Sequence, residues 1–266
     1  MSAEETSMSL FDRAGVDKKL FLILLVASIL ANIAVLPYAS SLGLLRTAEL
    51  PIPFPIAILV QIIQATLFSS IAIFIGLFLG KKVGLGAPTT EAWLRGESVV
   101  KGSKSIFKLA CGLGVLVGTT IFILDRFVFV IFAESISAHQ ASPPLWQRFL
   151  VCFYGGISEE IGMRLFLMTL IVWISYKIAR SKDNKPTNVG VWLAIIIISV
   201  IFGLGHLPMT TQFMAITPVV VIRAIVLNGI AGIAFGWLYW KKGLESAIIS
   251  HFSADIILHV ILPSLY

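Results

Sequence analysis

The sequence predicts an all-α, polytopic membrane bundle of about seven to eight transmembrane helices. Three observations carry that prediction. The 266-residue chain is 58% hydrophobic and 13% charged, with a mean hydropathy of +0.95, whereas soluble domains are nearer half apolar and a quarter charged. Its apolar runs reach the ~18–20 residues that a hydrocarbon core requires. Its basic residues gather in the N-terminal tail and in every second loop, the pattern that orients membrane helices. Loop charge therefore accounts for the net charge of +6. The composition implies a lipid bilayer as partner and no nucleic acid.

Residues 1–19 read as a polar tail of mixed charge, and 20–266 as a single membrane-embedded domain. The apolar run after the tail is too long for the core of a signal peptide. The first span is expected at Leu20–Leu45, kinked at Pro37. The second, Ile56–Leu79, is closed by Lys81-Lys82 and by Gly84, Gly86 and Pro88. Thr89-Thr90-Glu91 looks like a capped start, so a short surface helix is expected to run through Val100. The third span is Ile106–Ala133. Its Asp125-Arg126 is read as structural, pairing with other helices or snorkelling. A polar connection, Glu134–Trp146, carries His139. The fourth span, Phe149–Ile178, is stopped by Pro186. The remaining spans are Val189–His206, Pro218–Trp240 and Leu244–Leu262. Gly232 and Gly236 in the sixth are four residues apart, a spacing that lets helices approach closely. An eighth crossing needs Met209–Thr217 or the tail to fold back. Alternating basic loops put the N-terminus in the cytoplasm, and the plasma membrane of a prokaryote is the expected location. Cys111 and Cys152 read as small buried apolar residues, with no zinc-like spacing.

The informative residues are the ionisable ones inside apolar spans. A charge at the centre of a bilayer costs ~3 kcal/mol on insertion scales, yet Ser158–Arg164 holds three. Glu160 and Arg164 are i,i+4 and can pair on one helix face. Glu159 is turned about 100° from Glu160, which leaves it free for another neighbour. His251 and Asp255 are again i,i+4, so the carboxylate can orient the imidazole. Phe202 lies one turn before His206 and can pack on its ring. Arg223 and Asn228 are possible cavity residues, and His259 belongs to no motif.

Glu159-Glu160-Ile161-Gly162-Met163-Arg164, then Phe202-Gly203-Leu204-Gly205-His206, then His251-Phe252-Ser253-Ala254-Asp255, in that order, resembles the CPBP family. These are the CAAX-prenyl-protease and bacteriocin-processing membrane peptidases, also called Abi proteins. Gly236–Tyr239 and Gly243–Ala247 resemble the approach to the last motif, and the motif-bearing core covers roughly 148–260. The resemblance implies an intramembrane endopeptidase acting on a membrane-associated protein, a prenylated or CAAX-like peptide, or a leader peptide. Glu159 would activate water with His206 sharing it, and His251 with Asp255 would face the oxyanion. Many relatives have asparagine at the last position; Asp255 cannot donate when ionised, which favours an orienting or metal-binding role. Two mechanisms stay open. In one, His206 and His251 ligate a divalent metal such as zinc, with a carboxylate and water completing the site. In the other, Glu159 and His206 activate water unaided.

Two other classes compete. Intramembrane charges also build proton relays, but no inverted repeat of the kind common in transporters is visible. A non-catalytic scaffold or immunity protein would be expected to lose motif residues, and all are present. There is no His-Glu-x-x-His helix and no Gly-x-Ser-x-Gly loop. Catalysis requires Glu159, His206 and His251 within about 12 Å of one another, so that one water can join them. Depth makes this demanding. His206 falls near the outer end of span five, and His251 about 10 Å into span seven from the inner side at ~1.5 Å per residue. Convergence needs a fifth span that is longer or broken beyond Pro208, or a re-entrant sixth.

Overall fold

Among the described residues, apolar side chains dictate seven helices long and apolar enough to cross a membrane: Lys18–Ser41, Phe54–Val83, Lys104–Phe129, Leu145–Ile178, Asn188–Thr210, Pro218–Lys242 and Leu244–Ser264. They are spans one to seven below. The computed structural model describes residues 10–45, 53–97, 100–129 and 143–265, with backbone alone at 100–103. Most of the first loop, the end of the predicted third span and the connection carrying His139 lie outside the described residues. Among the described residues there is no β-strand, only an isolated bridge between Arg180 and Pro186.

Local chemistry sets the ends. The Asp17 carboxylate accepts from the backbone N–H of Lys19 and Leu20, at 2.8 and 3.2 Å, and starts span one. That span breaks at Val35, two residues before Pro37, into Lys18–Ala34 and Leu36–Ser41. Span two is longer than predicted at both ends. Pro55 sits in its first turn, where a missing N–H costs nothing, and Gly84 at φ +73° ends it. The surface helix is shorter than predicted, Pro88–Leu94, with Gly96 at φ +72° turning the chain just beyond it. Its N-cap is Ala87, so the threonines do not cap it. Thr90 instead donates its N–H and hydroxyl to Glu245 Oε1, at 2.7 and 2.8 Å, tying this helix to span seven.

Span four is central. It packs on spans one, two, five and seven, while span seven also packs on three and six. Its inward face is Ile161, Leu165, Met168 and Val172, all at most 1% exposed, at the spacing of one helical stripe. The outward faces keep large apolar side chains such as Leu30, Leu67, Leu116 and Ile222 exposed, as a bilayer-facing surface should. Spans five and six approach closely at Gly232, where a Cβ would stand 2.6 Å from the Ser199 hydroxyl. Gly236 faces Ile195 in the same seam.

Among the described residues four stretches are π-helical: Asp125–Phe129, Tyr154–Glu159, Ile161–Met168 and Ile256–Ile261. Apolar periodicity does not reveal them, because they differ from an α-helix in hydrogen-bond register rather than in composition. Such turns are concentrated at functional sites, and two of these bracket Glu160.

Candidate active site

The site is built where span four meets spans five and seven. Gly155 and Gly156 make the approach to span seven possible. A Cβ on Gly155 would fall on the Asp255 carboxylate, and one on Gly156 would stand 3.1 Å from Phe252 Cβ. The chain therefore brings the first and third motifs together through two glycines inside a π turn.

The two adjacent glutamates divide sharply. Glu160 and Arg164 are both fully buried, with Oε2 and Nε 3.2 Å apart. Glu160 Oε1 also lies 2.9 Å from His251 Nδ1. A carboxylate accepts, so with Glu160 ionised the imidazole donates from Nδ1 and is fixed in one orientation. Glu160 is thus the residue that holds His251. Asp255, expected in that role, lies 3.7 Å from the other ring nitrogen, Nε2. Glu159 keeps 22% of its side chain exposed, and its Oε2 is 3.8 Å from His251 Nε2. Among the described residues no hydrogen bond to the Glu159 carboxylate is present.

Aromatic rings complete the frame. Phe235 stacks on His251 at 4.6 Å. Phe202 meets His251 edge-on at 5.8 Å and His206 edge-on at 4.8 Å, and the Arg164 guanidinium lies over its ring at 5.5 Å. One side chain therefore touches members of all three motifs, and the two imidazole centroids can be no farther apart than the sum of those ring distances.

His206 resolves the depth difficulty. It sits at a bend between the helix Asn188–Gly205 and the short helix Leu207–Thr210. Span five is thus longer than predicted, and its bend precedes Pro208 rather than following it. The His206 ring folds back one turn, with Nδ1 2.7 Å from the Phe202 carbonyl. A carbonyl only accepts, so Nδ1 carries the proton and Nε2 is the open nitrogen. Helical side chains lean toward the N-terminus, which brings this imidazole toward the depth of His251.

The remaining candidates make contacts of their own. Arg223 is bound to Asp125 through both carboxylate oxygens, at 2.6 and 2.8 Å, so the pair joins spans three and six. Asn228 donates to its own helix at the Ala224 carbonyl. His259 packs edge-on to Tyr38 at 6.0 Å. Cys152 is buried and Cys111 half-buried, and both are free thiols. The donor set does not fit a resident metal in this arrangement. Among the described residues no group of three or more His, Cys, Asp or Glu side chains could hold an ion, and His206 and His251 are not gathered into one ligand set with a carboxylate.

Sequence reasoning missed the polar residues of the first two spans. Ser28, Asn32 and Ser69 form hydrogen bonds beside Ser158. The signal was present, since Asn32 stands in an apolar run, but uncharged side chains were outweighed by the charges of the C-terminal half.

No curated protein and no solved structure matches the chain. Residues 141–257 match the family model described as type II CAAX prenyl endopeptidase Rce1-like, a stretch that contains all three motifs. That stretch, a little under half of the chain, is similar to the Rce1-like CAAX prenyl endopeptidases, which are membrane peptidases.

Proposed function

We propose that this protein is a glutamate-dependent intramembrane endopeptidase, with Glu159 as the base that activates water. The observation that carries the reading is the unequal commitment of two adjacent carboxylates. Glu160 is engaged by Arg164 and His251, whereas Glu159 is partly exposed and 3.8 Å from His251 Nε2. A base needs an unengaged carboxylate within reach of the water it deprotonates.

In this reading Glu159 takes the proton as water attacks the scissile carbonyl, and later delivers it to the departing amine. His206 accepts a hydrogen bond from the same water at Nε2. His251, fixed at Nδ1 by Glu160, turns Nε2 toward the carbonyl whose oxygen gains charge. Asp255 borders that nitrogen and tunes its donor strength. Arg164 pairs with Glu160 and so acts through it. No step is routed through a metal. The expected substrate is a prenylated, CAAX-like or leader peptide, and the basic loops favour a cytoplasmic N-terminus in a prokaryotic plasma membrane.

The test is cleavage of a prenylated CAAX-type peptide in proteoliposomes. Removal of a general base is expected to lower kcat at least about 10²-fold in Glu159→Gln, with His206→Ala also impaired. Wild-type turnover by Glu159→Gln would refute the assignment. Loss of wild-type activity on adding chelator would overturn the metal-free scheme.

A further inference from the structure

Glu159 presents a positioning problem. Its carboxylate makes no hydrogen bond among the described residues, yet the proposed chemistry needs it aimed at one point beside His251. Side-chain contacts fix Glu160. The aim of Glu159 must instead come from its backbone, which closes the π-helical stretch Tyr154–Glu159. A π turn is rare and is not held by intrinsic preference, so something outside the helix must support it.

The support comes from the half of the chain outside the family match. Asn32 Nδ2 donates to the Ser158 hydroxyl at 3.0 Å and to the Ser28 carbonyl at 2.8 Å. Ser28 Oγ lies 2.8 Å from Ser69 Oγ and 3.4 Å from Ser158 Oγ. The Ser158 hydroxyl also reaches the Ser28 carbonyl at 3.4 Å. Ser28 is fully buried and Ser69 nearly so. Hydrogen bonds of this kind commonly join membrane helices, and Ser28–Ser69 needs no other explanation. The convergence on Ser158 does, because that residue precedes Glu159 directly and lies in the same π turn. Span one, with Ser69 of span two behind Ser28, thus holds the Ser158 hydroxyl one residue before the catalytic carboxylate.

We propose that Asn32, with Ser28 and Ser69, is a positioning unit that fixes the aim of Glu159 through Ser158. This rests on the reading of Glu159 as the base. None of the three touches the reacting atoms; they hold the residue beside the one that does. A misplacement of about 1 Å can cost on the order of 10²-fold in rate, so a loosened anchor acts on turnover rather than on substrate affinity.

The experiment compares wild type with Asn32→Leu, Ser158→Ala, the double variant, Ser158→Thr and Glu159→Gln in the same proteoliposome assay, alongside thermal unfolding. For Asn32→Leu and Ser158→Ala, kcat should fall about tenfold or more while KM stays within about twofold. The double variant should be no worse than the weaker single, because both act through one contact. Ser158→Thr, which keeps the hydroxyl, should recover most of the lost kcat. Unchanged kcat in both single variants overturns the proposal, as do additive losses that follow the melting temperature. If Asn32→Leu does not accumulate in the membrane, Ser69→Ala probes the same network from span two, with the same expected fall in kcat. The two readings fail differently. An inactive Glu159→Gln beside fully active Asn32→Leu leaves the base standing and removes the positioning unit. A fully active Glu159→Gln removes both.

Discussion

Replacing Arg164 by Met would leave Glu160 as a fully buried carboxylate with one hydrogen-bonding partner, His251, and without its guanidinium. Removing one partner of a buried pair typically costs ~3–5 kcal/mol, because the other charge stays desolvated. The lower part of that range is expected here. Arg164 Nε and Glu160 Oε2 are 3.2 Å apart but are not aligned as a hydrogen bond, so less is lost than from an ideal pair. The substitution also removes the cation–π contact with Phe202, which adds ~0.5–2 kcal/mol to the cost. Glu160→Leu should be worse. It strands the Arg164 guanidinium and also leaves His251 Nδ1 without its acceptor, a further ~1–3 kcal/mol for a buried orphan. The assay is reversible unfolding in mixed micelles with a denaturing detergent. The expected order of stability is wild type, Arg164→Met, then Glu160→Leu. Either single variant within ~1 kcal/mol of wild type would refute the buried-pair argument. A Glu160→Leu protein more stable than Arg164→Met would refute the claim that Glu160 serves two partners.

Two further perturbations read the geometry directly. Gly155→Ala puts a methyl group on the Asp255 carboxylate, so kcat should fall about 10²-fold through displaced groups at His251 Nε2; wild-type kinetics would show that span seven has room to move. Phe202→Leu keeps apolar volume but removes the ring that touches His206, His251 and Arg164. Its kcat should fall more than its unfolding energy, which should change by no more than ~1–2 kcal/mol for such a swap; equal stability and equal kcat would deny that ring a framing role.

The helical class and the number of spans were legible because both follow from composition and run length. The ends were less so. Pro55, Gly84 and Gly96 each moved a boundary, and capping chemistry misled at Thr89-Thr90, where the hydroxyl of Thr90 went to Glu245 instead. The pairing of Glu160 with Arg164 could be read from spacing alone. The partner of His251 could not. Spacing favoured Asp255 four residues away on the same helix, but the ring turned its Nδ1 to Glu160 ninety-one positions earlier. A contact between spans has no sequence period to announce it. The π turns were illegible for a related reason, since a shift in backbone register leaves the apolar stripe nearly unchanged.

The supports of the motifs argue that the chain functions as one packed unit rather than as a peptidase core with an appended anchor. The family match begins at residue 141, yet two of the motif-bearing spans, four and seven, lean on residues before it. Gly76 in span two lies against Leu165, one residue past Arg164, so closely that any Cβ there would meet its backbone. Gly114 and Gly118 in span three, four residues apart, lie in the same way against Ser250, Ser253 and Ala254, which surround His251 on span seven. Small residues at that spacing let two helices approach to backbone contact. Span three can therefore set the depth of His251 to within a side chain's width, as Asn32 and Ser28 of span one, backed by Ser69 of span two, hold Ser158. A site made of three distant segments needs each of them fixed to a fraction of an ångström. Here that constraint falls largely on glycine, serine and asparagine in the three spans whose sequences, read alone, showed little more than hydrophobicity.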